Sequence, residues 1–97
     1  MLHLIFQSPI DDALLQRIES LDSVVFFENA IFQINKNGIL SIQFKQMLEN
    51  RISLYVLDVE LETRGLNITE LVSGVKVINY SEFVELTEQN KVIKTWS

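Results

Sequence analysis

The stretch ISLYVLDVELETRGL, residues 52–66, decides the fold. The apolar run Ile52 to Leu57 has the length of a strand and stops at Asp58, a residue type suited to cap a helix. Six residues on, Arg64-Gly65 is suited to end one. A strand followed directly by a short helix over 58–64 is therefore predicted. The rhythm recurs where Val75 to Ile78 gives way to Asn79-Tyr80-Ser81-Glu82-Phe83-Val84. Such repeated strand-to-helix junctions are the pattern of a parallel α/β sheet.

Working outward, Val24 to Phe27 is a continuous apolar run, as expected of a central parallel strand covered on both faces. Leu2 to Phe6 is a further strand interrupted only by His3. Between the two, Ser8-Pro9-Ile10-Asp11 predicts a helix start, with Ser8 as cap, Pro9 at the first helical position and Asp11 facing the dipole. Ile10, Leu14, Leu15, Ile18 and Leu21 recur at helical spacing and define its apolar side. The segment from Glu28 to Leu40 admits two readings, a short helix followed by a turn or a hairpin about Asn37-Gly38. From Ser41 onward a helix is expected, with Leu40, Phe44, Met47 and Leu48 on one face. Tyr80, Phe83, Val84 and Thr87 mark the apolar face of a last helix starting near Asn79 or Ser81, and Lys91 to Trp96 reads as an edge strand.

This alternation specifies an α/β protein, a three-layer α/β/α sandwich with a mostly parallel sheet. A chain of 97 residues has the size of one domain, 1–97. In such sheets binding sites lie beyond the carboxyl ends of the strands. Here those ends are Gln7-Ser8, Glu28-Asn29, Asp58-Val59 and Asn79-Tyr80.

Eight Lys and Arg against thirteen Asp and Glu leave a net charge of −5, and the cations are scattered singly. Phosphate backbones are held by clustered cations, so no direct nucleic-acid contact is expected. No apolar run reaches membrane-spanning length and no basic, apolar leader opens the chain, which points to the cytoplasm without membrane contact. Gly38, Gly65 and Gly74 match no nucleotide-binding spacing. One histidine and no cysteine cannot build a nitrogen or sulfur metal site, and no cofactor is expected. His3 and Ser8 are residue types a hydrolase uses, but capping accounts for Ser8 and no nucleophile elbow surrounds it. His3 is accounted for by a backbone partner or an interface, and no catalytic residue is assigned. Trp96, beside the C-terminus, either closes the edge of its own domain or anchors a contact with another. At 47% hydrophobic residues, the chain has enough apolar side chains to leave a patch for another subunit. His3, Asn29, Tyr80 and Trp96 are the candidate interface residues.

In order and spacing these segments resemble the TusB/DsrH family of bacterial sulfur-relay subunits. The resemblance is carried by Met1-Leu2-His3 with Ser8-Pro9, by Val24 to Phe27 leading into Glu28-Asn29-Ala30-Ile31, and by Tyr55-Val56-Leu57, Leu61 and Arg64-Gly65-Leu66. It continues through Asn79 to Thr87 and ends at Trp96. It implies a DsrE/DsrF/DsrH-like fold with about five strands. It also implies a cytoplasmic heterohexamer, a dimer of trimers formed with TusC-like and TusD-like subunits. That assembly takes persulfide sulfur from a TusA-like carrier and passes it to a TusE-like one, towards 2-thiolation of the tRNA wobble uridine. The DsrH-like counterpart belongs to a sulfur-oxidation complex.

Two departures from the family pattern matter. Many relatives carry Asp-Gly after the second strand, whereas this chain has Asn29-Ala30, so a turn needing a glycine conformation is absent or made differently. A persulfide needs a thiol, and this chain has no cysteine, so the resemblance implies a structural or docking subunit, TusB-like rather than DsrH-like. The alternatives are a stand-alone or homo-oligomeric interaction module of the same fold, or a DsrH-like subunit of a sulfur-oxidation complex.

Overall fold

Each apolar run becomes a strand of one sheet. A computed structural model describes residues 1–97. Its strands are β1 (Leu2–Ile5), β2 (Ser23–Phe26), β3 (Ser53–Leu57), β4 (Lys76–Ile78) and β5 (Ile93–Trp96). They lie in the order β4-β3-β2-β1-β5 and every neighbouring pair is parallel. The helices are α1 (Asp12–Leu15), α2 (Ser41–Glu49), α3 (Asp58–Thr63) and α4 (Tyr80–Gln89), with 3₁₀ segments at Glu28–Ile34 and Ile68–Glu70.

The topology distributes the helices unequally. Steps from β1 to β4 all move the same way across the sheet, so right-handed crossovers place α1, α2 and α3 on one face. The step from β4 back past β1 to β5 runs the other way and leaves α4 alone on the opposite face. On the first face Val24, Phe26, Leu54 and Val56 meet Leu14 and Leu15 of α1, Phe44 and Met47 of α2 and Leu61 of α3 within a cluster of 20 buried residues. Phe26 and Phe44 pack edge to face at 5.6 Å. Val25, Leu57 and Ile78 on the second face are buried too, but lie outside that cluster. No residue of α4 is fully buried. Five strands at a spacing of about 4.8 Å span roughly 19 Å, and a helix about 10 Å across covers about half of that.

Several junctions differ from the sequence reading. Ser8 is exposed and caps nothing; α1 begins at Asp12, because Asp11 has extended backbone and its own carboxylate accepts from the Ala13 amide at 3.0 Å. The helix is a single turn, and tighter bonds from the Arg17 and Ile18 amides to the Leu14 and Leu15 carbonyls carry the coil onward. Ile10, Leu14, Leu15 and Ile18 are buried as their spacing requires, whereas Leu21 is 76% exposed with a φ of 75°. Asp58 is the first residue of α3 rather than its cap, the cap position falling to Leu57. The segment 28–40 takes the helix-and-turn form, since Ala30, Ile31 and Ile34 all point inward and Asn35 to Gly38 closes the turn.

The glycines at 65 and 74 have distinct reasons. Gly65, at a φ of 65°, ends α3 as expected: its amide bonds the Glu62 carbonyl, the Leu66 amide bonds the Leu61 carbonyl, and Leu66 packs on the core. Gly74 has a φ of 108°, and a Cβ there would lie 2.8 Å from Leu48 Cδ1. Gly74→Ala is therefore expected to destabilise the domain by at least about 1 kcal/mol in urea unfolding. An unchanged midpoint would mean that the loop before β4 moves aside freely.

Candidate interaction surface

Phe6 and Phe27 stand one residue beyond β1 and β2 and stack on each other, 4.7 Å between centroids and 9° between planes. Phe83 of α4 meets Phe27 edge on at 5.5 Å, and Tyr80 lies 6.5 Å from Phe83. Phe6, Phe27 and Phe83 are only half-buried, and Tyr80 is 71% exposed. Tyr80 thus leaves the packed side of its helix, where periodicity placed it, for solvent. The local cause is the start of α4: Asn79 accepts from the Glu82 amide at 2.8 Å and Glu82 accepts from the Asn79 amide at 3.0 Å. This reciprocal cap fixes Tyr80 as the first helical residue at the sheet's carboxyl end.

Asn29 is exposed on the same rim. The turn before it is made without glycine, because the left-handed conformation falls on Glu28 (φ 53°) and Ala30 is wholly buried. Glu28 is held there by its amide, which donates to Glu60 Oε2 at 3.1 Å, while the same carboxylate pairs with Arg64. A clamp from α3 thereby supports a backbone conformation that costs a non-glycine residue of order 1 kcal/mol.

His3 and Trp96 belong to a different construction, at the β1–β5 side of the sheet. Trp96 Nε1–H donates to His3 Nδ1 at 3.1 Å, and His3 Nε2 lies 2.9 Å from Asp22 Oδ2. Indole nitrogen is only a donor, so Nδ1 accepts and the ring proton resides on Nε2, facing the carboxylate. Asp22 also accepts from the Glu19 amide at 3.0 Å and from the N-terminal ammonium at 3.1 Å. Burial by itself would raise the Asp22 pKa, but the Glu19 amide, the His3 ring and the ammonium outweigh it and hold the carboxyl below its usual value of 3.8. His3 is 2% exposed, so it reaches no surface of the isolated chain and its influence on any contact passes through Trp96. Trp96 is half-buried, packs on the core cluster and carries Lys94 Nζ 4.6 Å and Arg17 Cζ 5.9 Å from its ring centroid. Closing the edge of its own domain is what the indole visibly does.

The sequence reading passed over Asp22 and the three phenylalanines. Asp22 stands where helical periodicity fails immediately before a strand, a place that also suits an ordinary loop acid. Phe6 and Phe27 end apolar runs and Phe83 lies on the apolar face of the last helix, so all three read as core. Only the pairing of strand ends shows them forming one row.

Fold and surface together define a small all-parallel α/β/α protein with one finished sheet face and one half-covered one. The protein of unknown function MTH1491 from Methanobacterium thermoautotrophicum superimposes with a TM-score of 0.77 at 14% identity, over 97% of this chain and 95% of that one. The ychN protein from E. coli gives 0.77 at 10% identity, over 98% and 97%. A family model described as DsrH like protein matches residues 6–93, and the chain belongs to that DsrH-like family. Among curated relatives, Protein TusB of Pectobacterium parmentieri is 31% identical over 99% of this chain and all of its own length. Protein TusB of Yersinia enterocolitica is 30% identical over 87% of this chain and 84% of its own.

Proposed function

We propose that this single-domain protein is a non-catalytic, cytoplasmic subunit of a TusBCD-type sulfur relay. It assembles with TusC-like and TusD-like subunits as a dimer of trimers and supports passage of persulfide sulfur from a TusA-like to a TusE-like carrier, towards 2-thiolation of the tRNA wobble uridine. The observation that carries the reading is the combination of about 30% identity to TusB proteins over nearly the whole chain with the complete absence of cysteine.

Chemistry explains why the second half of that observation matters. In sulfane transfer an acceptor thiolate attacks the terminal sulfur of a persulfide, a new S–S bond forms, and the donor leaves as a thiolate. Every station of the relay therefore needs a thiol, and this chain has none to offer. Its contribution is to shape the assembly, through Asn29 and Tyr80 beyond the carboxyl ends of β2 and β4, while Trp96, hydrogen-bonded to His3, closes the β5 edge beside them.

Labelling tests this directly. With ³⁵S-persulfide supplied to the coexpressed complex and the subunits separated without reductant after denaturation, label is expected on a cysteine-bearing partner and at background on this polypeptide. Label retained here, or full relay turnover in cells lacking this gene, would remove the assignment.

A further inference from the structure

The aromatic row sits in an unusual electrostatic setting. The four segments that follow β1 to β4 at the carboxyl end, residues 6–12, 27–30, 58–62 and 79–85, hold eight of the thirteen carboxylates and not one Lys or Arg. Glu82 also caps its own helix, and Asp58 sits at the start of another, so local folding accounts for part of this placement. Their field remains whatever its origin. At the other end Arg51 and Lys91 lie within two residues of the starts of β3 and β5, and Lys76 opens β4; at the carboxyl end Arg64 neutralises Glu60, and Arg17 and Lys94 flank Trp96 on the β5 side, away from the phenylalanines. The rim from β1 to β4 therefore keeps an excess of carboxylates, with a half-exposed aromatic centre among them.

Resting on the assembly role argued above, we propose that this carboxyl-end rim is the docking face for a partner subunit whose own contact surface is basic, with Lys or Arg side chains around an apolar centre. Complementary charge guides such a face in, and guanidinium or ammonium groups gain further from the open face of Tyr80. A second copy meeting rim to rim would set carboxylate against carboxylate. A polyanion would be repelled for the same reason.

The test uses the full-length chain coexpressed with its TusC-like and TusD-like partners. The double reversal Glu28→Lys/Glu62→Lys changes two exposed rim acids whose carboxylates hold no hydrogen bond, and Glu19→Lys/Glu49→Lys makes the same charge change towards the opposite end. Tyr80→Ser removes the exposed ring. Association is measured at low and high salt, and the unfolding midpoint of each isolated variant is measured in parallel. The rim reversal is expected to weaken association at least tenfold at low salt, Tyr80→Ser several-fold, and the opposite-end reversal less than twofold, with midpoints nearly unchanged. A complex that forms with undiminished affinity on the reversed rim would overturn this docking face while leaving the relay assignment intact. A homodimer abolished by the rim reversal would overturn it equally. Failure of the unaltered chain to bind either partner at any salt would overturn the assembly role itself, and this face with it.

Discussion

Asp22→Ala is expected to cost the domain about 3 kcal/mol in urea unfolding at pH 7, because it strips a buried imidazole N–H of its acceptor and removes a carboxylate serving three donors. The donors are the His3 ring, the Glu19 amide and the N-terminal ammonium, all within 3.1 Å. The effect has a defined pH dependence. The folded carboxyl titrates below its usual 3.8, so its contribution is fully present above about that pH and is lost as pH falls through the lower folded value. The stability difference between the native protein and Asp22→Ala should accordingly shrink as pH falls below about 4. A difference that stays constant down to pH 2.5 would show that the carboxylate form is not favoured by the fold.

Trp96→Ala comes next, with an expected loss of about 3 kcal/mol, the range for removing a large aromatic that is mostly packed. Its indole contacts the core cluster and its N–H occupies His3 Nδ1. Trp96→Phe keeps most of the packing and leaves Nδ1 without its donor, so about 1 kcal/mol is expected for that change. Because Trp96 is the only tryptophan, its fluorescence reports directly on whether the β5 edge is closed. Variants whose midpoints stay unchanged while partner binding collapses would reassign the residue from edge closure to intersubunit anchoring.

The β5 edge illustrates a wider division between what was legible and what was not. Residues 91–96 show weak alternation, enough to read an edge strand, and the parallel partner turned out to be β1 at the far end of the chain. Similarly the four apolar runs, the buried side of α2 and the Gly65 stop followed from local pattern, since burial on both faces and helix termination leave marks within a few residues. The Ser8 cap failed because Asp11 competes for the same role three residues on. Both are good caps in sequence, and only the path of the chain into α1 chooses between them.

What the sequence by itself determined is therefore the α/β class, the strand set and the lack of any thiol to hold sulfur, each written in composition or in short-range periodicity; the family came from resemblance in the order and spacing of segments along the whole chain. What only the tertiary structure decided is which residues meet. His3, Asp22 and Trp96 are 19 and 93 positions apart along the chain in their two hydrogen bonds. Phe6, Phe27 and Phe83 come from three separate elements. The half-covered face follows from a strand order in which one connection out of four reverses direction. Contacts at such separations depend on the lateral order and register of strands, which hydrogen bonding between uniform backbones fixes and no local run of side chains encodes.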